Sequence, residues 1–89
     1  MKTIAEKLSL PENDYTNPSL VYELLNRLEE LSLPVNYSTM KNGKRGHFIS
    51  LSYLKNPYNS FYTVIEVEAD SLPKALCEAI IRLPEDWSG

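Results

Sequence analysis

The sequence predicts an α+β domain in which a three-stranded antiparallel β-meander is flanked by an N-terminal and a C-terminal helix, in the order α-β-β-β-α. Three observations carry that expectation. Residues 18–32 and 71–83 place apolar side chains at the helical period of about 3.6, residues 35–69 place them at every second position, and Asn42-Gly43 separates the first two of the alternating runs. The chain has 89 residues, 43% of them hydrophobic and 24% charged. That composition suits one domain over residues 1–89, with an arm or loop over 1–17, a core over 18–83 and a tail over 84–89.

In the first segment, the weak apolar signal of Ile4, Leu8 and Leu10 is interrupted by Pro11, Asn13, Asp14 and Asn17. A short helical turn followed by a loop is expected there. Asn17-Pro18 then marks a helix start, because the Asn side chain can cap free amides and Pro loses nothing at the first helical position. The helix runs from about Pro18 to Ser32 with Leu20, Leu24, Leu28 and Leu31 on one stripe and Val21 and Leu25 beside it. Glu23 and Arg27 are spaced to pair on its outer side, and Pro34 ends it.

Val35 to Met40 sets Val35, Tyr37 and Thr39 against Asn36, Ser38 and Met40, the alternation of a strand. Asn42-Gly43 supplies positive φ for a turn, and Lys44, Arg45 and Gly46 are read as widening it into a basic loop. His47 to Leu54 resumes the alternation, with Ile49, Leu51 and Tyr53 on one face and Phe48, Ser50, Ser52 and Leu54 on the other. Residues 55–60 are dense in turn formers. The next run, Phe61 to Ala69, puts Phe61, Thr63, Ile65 and Val67 opposite Tyr62, Val64, Glu66 and Glu68. Ser71 caps a last helix with Pro73 in its first turn and a stripe of Leu72, Ala75, Leu76, Ala79, Ile80 and Leu83. Glu78 and Arg82 are spaced to pair on its exposed side.

Both helices have a stripe to bury, so both must cover the sheet. They can share one face as two layers or take opposite faces as an α/β/α sandwich. In the first case Phe48, Leu54, Tyr62 and Val64 are left on a mixed face that is apolar enough to call for a partner.

Several function classes are set aside by composition. No apolar run approaches the roughly 20 residues that cross a bilayer, so no membrane is expected as a partner. The N-terminal residues are charged and have no apolar signal core, which leads to the expectation of a cytoplasmic protein. Cys77 is the single cysteine and His47 the single histidine, so no disulfide, metal site or cofactor is expected. With a net charge of −3 and one short basic cluster, nucleic acid is not an expected partner either.

The basic cluster is Lys41, Lys44, Arg45 and His47 beside Gly43 and Gly46, where amides and cations can converge on a phosphate or carboxylate. The plainer reading is a solvated hairpin tip that uses glycine for geometry and lysine to blunt a sheet edge. Six tyrosines are present in this short chain, and Tyr37, Tyr53 and Tyr58 lie where a ring could stack on a ligand. Cross-strand packing with hydroxyls in water is the plainer account of them. His47 has no Asp, Ser or Cys at a spacing that marks a triad, so no catalytic residue is assigned. Cys77 sits at the margin of an apolar stripe and reads as packing. Trp87, near the chain end, is a large apolar side chain suited to fold back on the core or to anchor a neighbouring subunit.

The strand Tyr62-Thr63-Val64-Ile65-Glu66-Val67-Glu68 leads through Ala69-Asp70-Ser71 into Leu72-Pro73-Lys74-Ala75-Leu76-Cys77-Glu78-Ala79-Ile80. This stretch, about residues 61–83, resembles the end of the small phage-encoded ABA-sandwich domains, in which a strand is followed by an Ala-rich amphipathic helix with a Cys near its middle. The resemblance implies an α/β/α arrangement and a phage or prophage origin, and it carries over no catalytic residue.

Two functional expectations follow. The first is a non-enzymatic interaction module that binds protein as a homo-oligomer, with a host protein as a further partner, through Phe48, Leu54, Tyr62, Val64 and Trp87. The second is a binder of a small anionic ligand such as a nucleotide, through Lys44, Arg45 and His47 with Tyr37, Tyr53 or Tyr58.

Overall fold

The computed structural model describes residues 3–54 and 62–84. Its elements are α1 (Ile4–Leu8), a 3-10 turn (Pro18–Leu20), α2 (Val21–Glu30), β1 (Val35–Lys41), β2 (Lys44–Leu54), β3 (Tyr62–Ala69) and α3 (Leu72–Ile81). The strands form one antiparallel sheet in the order β1-β2-β3. The α-β-β-β-α order is therefore present, preceded by the short helix expected in the arm.

Caps explain where each helix begins. Thr3 accepts from the Glu6 amide at 3.2 Å to start α1, and Asn17 accepts from the Ser19 amide at 3.0 Å. Ser71 accepts from the Lys74 amide at the start of α3. In each case a short polar side chain takes up an amide that has no partner within its own helix. The helix expected over Pro18–Ser32 opens as a 3-10 turn and closes at Glu30. Ser32 takes a left-handed conformation at φ 57°, and the Leu33 amide turns back to the Leu28 carbonyl at 2.9 Å, which buries Leu33.

Helix and sheet meet in one core. Leu24 and Leu28 from α2, Ala75, Leu76, Ala79 and Ile80 from α3, and Ile49, Leu51, Tyr53 and Val67 from the sheet are all buried. The helix layer reaches the sheet mainly through α3, which packs on β2 and β3, while α1 and α2 pack on α3. Of the two arrangements open from the sequence, the described residues adopt the two-layer one, with no helix among them on the other face of the sheet.

The arm contributes more to this core than its weak periodicity suggests. Leu8 is fully buried and Tyr15 nearly so, and the Cys77 thiol donates to the Tyr15 carbonyl at 3.2 Å. Lys7 is also buried, and its ammonium donates to the carbonyls of Ile81 at 2.6 Å and Leu83 at 2.5 Å. A cation there meets the negative end of α3 and satisfies carbonyls that the helix itself leaves free. Arg27 does the same for α1, donating from Nε to the Leu8 carbonyl at 2.6 Å. Its carboxylate partner is Glu30 at 3.6 Å rather than the Glu23 expected from spacing, because the guanidinium is already directed toward α1.

Candidate functional site

The β1–β2 hairpin holds most of the residues that the sequence marks for function. Its turn is tighter than expected. Asn42 at φ 53° and Gly43 at φ 79° close a two-residue connection, and Lys41 pairs directly with Lys44. Both positive φ values match the right-handed twist of the flanking strands, so the ladder resumes at Lys44 without a widened loop. Lys44, Arg45 and Gly46 are strand residues, which corrects the reading of them as loop.

That correction decides how the cations are arranged, since neighbours along a strand point to opposite faces. Lys44 reaches Glu68 and Gly46 faces the Phe48 ring, whereas His47 stacks on Tyr37, the cross-strand partner of buried Ile49. Lys44 is on the outer side with Phe48. The basic cluster is thus divided between two faces.

On the outer side the hairpin coils over the sheet. Lys41 lies opposite Lys44 and Glu66 opposite Ser50. In a flat ladder six residues of β2, about 20 Å, would separate them. Instead Lys41 Nζ lies 3.3 Å from Glu66 Oε2, and Lys44 Nζ lies 2.7 Å from Glu68 Oε1. The bend comes from a register shift between Ser38 and Met40, where Ser38 Oγ donates to the Met40 carbonyl at 2.6 Å and accepts from the Met40 amide at 3.2 Å. An extra residue in one strand adds local twist. Gly46 leaves room for the result, because a Cβ there would lie 3.3 Å from the Phe48 ring. Beneath the coiled tip is a cavity of about 700 Å³ lined by Ser38, Lys41, Lys44, Phe48, Ser50 and Glu66, among others. Its opposed charges are paired across it.

The helix-side face of the same hairpin extends past the helices. Tyr37 is 45% exposed and stacks on His47 with ring centroids 5.9 Å apart and planes 9° from parallel. The Tyr37 hydroxyl and His47 Nδ1 are 2.8 Å apart. A recess of about 480 Å³ lies beside them, lined by Thr39, Met40, Arg45, Gly46 and His47.

Of the residues expected to hold a ligand, the structure brings Tyr37, Arg45 and His47 to one part of the hairpin. Lys44 is across the sheet, paired with Glu68. Tyr53 is only 8% exposed and belongs to the core, six residues along β2 from His47. Tyr58 lies outside the described residues. Of the residues expected to form an interface, Val64 is 52% exposed and Leu54 39%, while Phe48 is half-buried against Gly46. Tyr62, paired with Leu54 at the far end of the sheet, lines a second groove with Leu25, Leu28, Leu33 and Val35. Trp87 and Phe61 lie outside the described residues.

Elsewhere, burial pushes the Cys77 thiol above its ordinary pKa, with the Asp14 charge acting in the same direction. A thiol held neutral and engaged with a carbonyl is a poor nucleophile. Burial likewise raises Tyr15, helped by Glu23 and Glu12. Asp14 is lowered because the Thr16 hydroxyl and then its amide donate to the carboxylate. No helix among the described residues is long and apolar enough to cross a membrane. Comparison of the chain with protein-family models, with curated proteins and with solved structures finds no match.

Proposed function

We propose that the protein is a small non-enzymatic interaction module that binds protein through the outer face of its sheet and assembles there as a homo-oligomer. The observation that carries this reading is a sheet face that no helix among the described residues covers. Among the described residues α3 packs on the other side with α1 and α2 against it, while Val64 and Leu54 keep large exposed fractions on a face that also holds Phe48. Scattered apolar side chains are ordinary on a surface, but Leu54, Tyr62 and Val64 adjoin at one end of this face, with Ser50, Ser52 and Glu66 between them and Phe48. The same face carries Lys41 and Lys44 beside Glu66 and Glu68, so a second copy meets both signs of charge and no net repulsion. A phage or prophage origin and a host partner belong to the same proposal, and their support is the resemblance of residues 61–83.

Sedimentation velocity on the intact chain tests the reading. The expected result is a dimer or larger assembly at micromolar concentration that Val64→Asp reduces to folded monomers, with a melting temperature that no longer depends on protein concentration. A wild-type monomer across that range overturns it. The anionic-ligand reading has less support from the geometry in its original form, because Lys44 and Tyr53 do not join Arg45 and His47.

A further inference from the structure

We propose that the helix-side recess of the hairpin is an oxyanion-binding subsite, with Arg45 as its cation, for a small ligand bearing a phosphate or carboxylate. This inference concerns the opposite face of the sheet from the interaction surface, and it stands whether or not the chain assembles.

The first argument is the state of the guanidinium. Arg27 is held by the Leu8 carbonyl and Glu30, and Arg82 by the Glu66 carbonyl and Glu78. At the hairpin tip Lys41 and Lys44 are matched with Glu66 and Glu68. The Arg45 guanidinium has neither a hydrogen bond nor an ion pair among the described residues, yet the residue lines a recess of about 480 Å³. A guanidinium presents a planar fork of donors that matches phosphate and carboxylate geometry.

The second argument is the set of groups beside it. Met40 is the cross-strand partner of Arg45, and Thr39 brings a hydroxyl to the same recess. His47 follows two positions along β2 and lines the same recess. Its Nδ1 is engaged by the Tyr37 hydroxyl at 2.8 Å, and the stacked Tyr37 ring fixes the imidazole plane. When the hydroxyl donates to Nδ1, the ring proton sits on Nε2, and the imidazole is oriented as a second donor. A fork of N–H groups, a hydroxyl and an oriented imidazole, with the Met40 side chain as an apolar wall, make up a donor set with no acceptor charge of its own.

Titration with inorganic phosphate and, separately, acetate, followed by amide chemical shifts at constant ionic strength, tests the subsite. The expected result is saturable movement of the Thr39, Met40, Arg45, Gly46 and His47 amides with at least one anion, and none with matched chloride. Phosphate preferred over acetate assigns a phosphoryl ligand, and the reverse order assigns a carboxylate. Arg45→Gln should weaken binding about tenfold, equivalent to roughly 1.4 kcal/mol. Lys44→Gln removes the same charge from the outer face and should leave it unchanged. Equal losses in the two variants would show a general charge effect and overturn the subsite, as would shifts that never saturate with either anion. Because Arg45 is exposed and its guanidinium has no partner among the described residues, its variant is expected to fold, and an unchanged amide spectrum away from the hairpin verifies that.

Discussion

The two ends of β2 show the same strand under opposite regimes. Toward Leu51 and Tyr53 it is sealed beneath α3, with every inward side chain buried in a core shared by sheet and helices. Toward Lys44 it leaves the helices behind, and its shape is set by a two-residue turn, a bulge and a pair of exposed ion pairs. Apolar burial is strong and non-directional, so the sealed end tolerates no free polar group. Surface ion pairs are weak and directional, so the overhanging end can present cations, a hydroxyl and aromatic rings to solvent. Apolar burial is concentrated at one end and exposed polar and charged groups at the other.

The largest expected break in this comparison is at the sealed end. Leu24 has no exposed surface, and truncation to alanine leaves a void that the surrounding side chains fill only partly. Leu24→Ala should lower unfolding free energy by about 2–5 kcal/mol, read by urea denaturation, with the hairpin amide shifts preserved in the folded fraction. A loss below about 1 kcal/mol would mean that α2 is not part of the cooperative core.

Lys7→Met tests whether a buried charge supports that same end. Methionine can fill the channel of the lysine stem, but it removes the donors to the Ile81 and Leu83 carbonyls at the negative end of α3. A loss of about 1–3 kcal/mol is expected, because the Leu83 carbonyl is buried and finds no water. A neutral or stabilising outcome would show that the desolvation cost of the ammonium outweighs its hydrogen bonds.

How far these regions can be read from residues alone follows the same division. The sealed end was legible because burial imposes a period: Leu24 and Leu28 on α2, Leu76 and Ile80 on α3, and Ile49 and Leu51 on β2 all fall on the stripes expected of them. Lys7 and Tyr15 were not legible, since a single lysine and a single tyrosine in a Pro- and Asn-rich arm carry no period, and their burial depends on the distant α3, Lys7 at its end and Tyr15 beside Cys77. The layer count was not legible either, because two apolar helices satisfy one face or two equally well. At the hairpin the error was one of extent. Gly46 looked like part of a loop, whereas Asn42 and Gly43 complete the turn alone and Gly46 serves to admit the Phe48 ring. Once the strand resumes at Lys44, alternation itself assigns Lys44 and Arg45 to opposite faces.

The smallest expected effect sharpens the comparison most. Lys44 and Glu68 are 2.7 Å apart, but both are exposed, so their coupling should be about 0.2–1 kcal/mol in a double-mutant cycle of Lys44→Gln with Glu68→Gln. It should shrink further as salt rises, because water and ions screen the pair. The hairpin is then held in its coiled form mainly by the bulge and the Asn42-Gly43 turn, with the ion pairs adding little. A coupling well above about 1 kcal/mol that persists in salt would reverse that ranking. The contact would then be desolvated, as it becomes when a second chain covers the outer face, and the coupling should fall back when Val64→Asp is added.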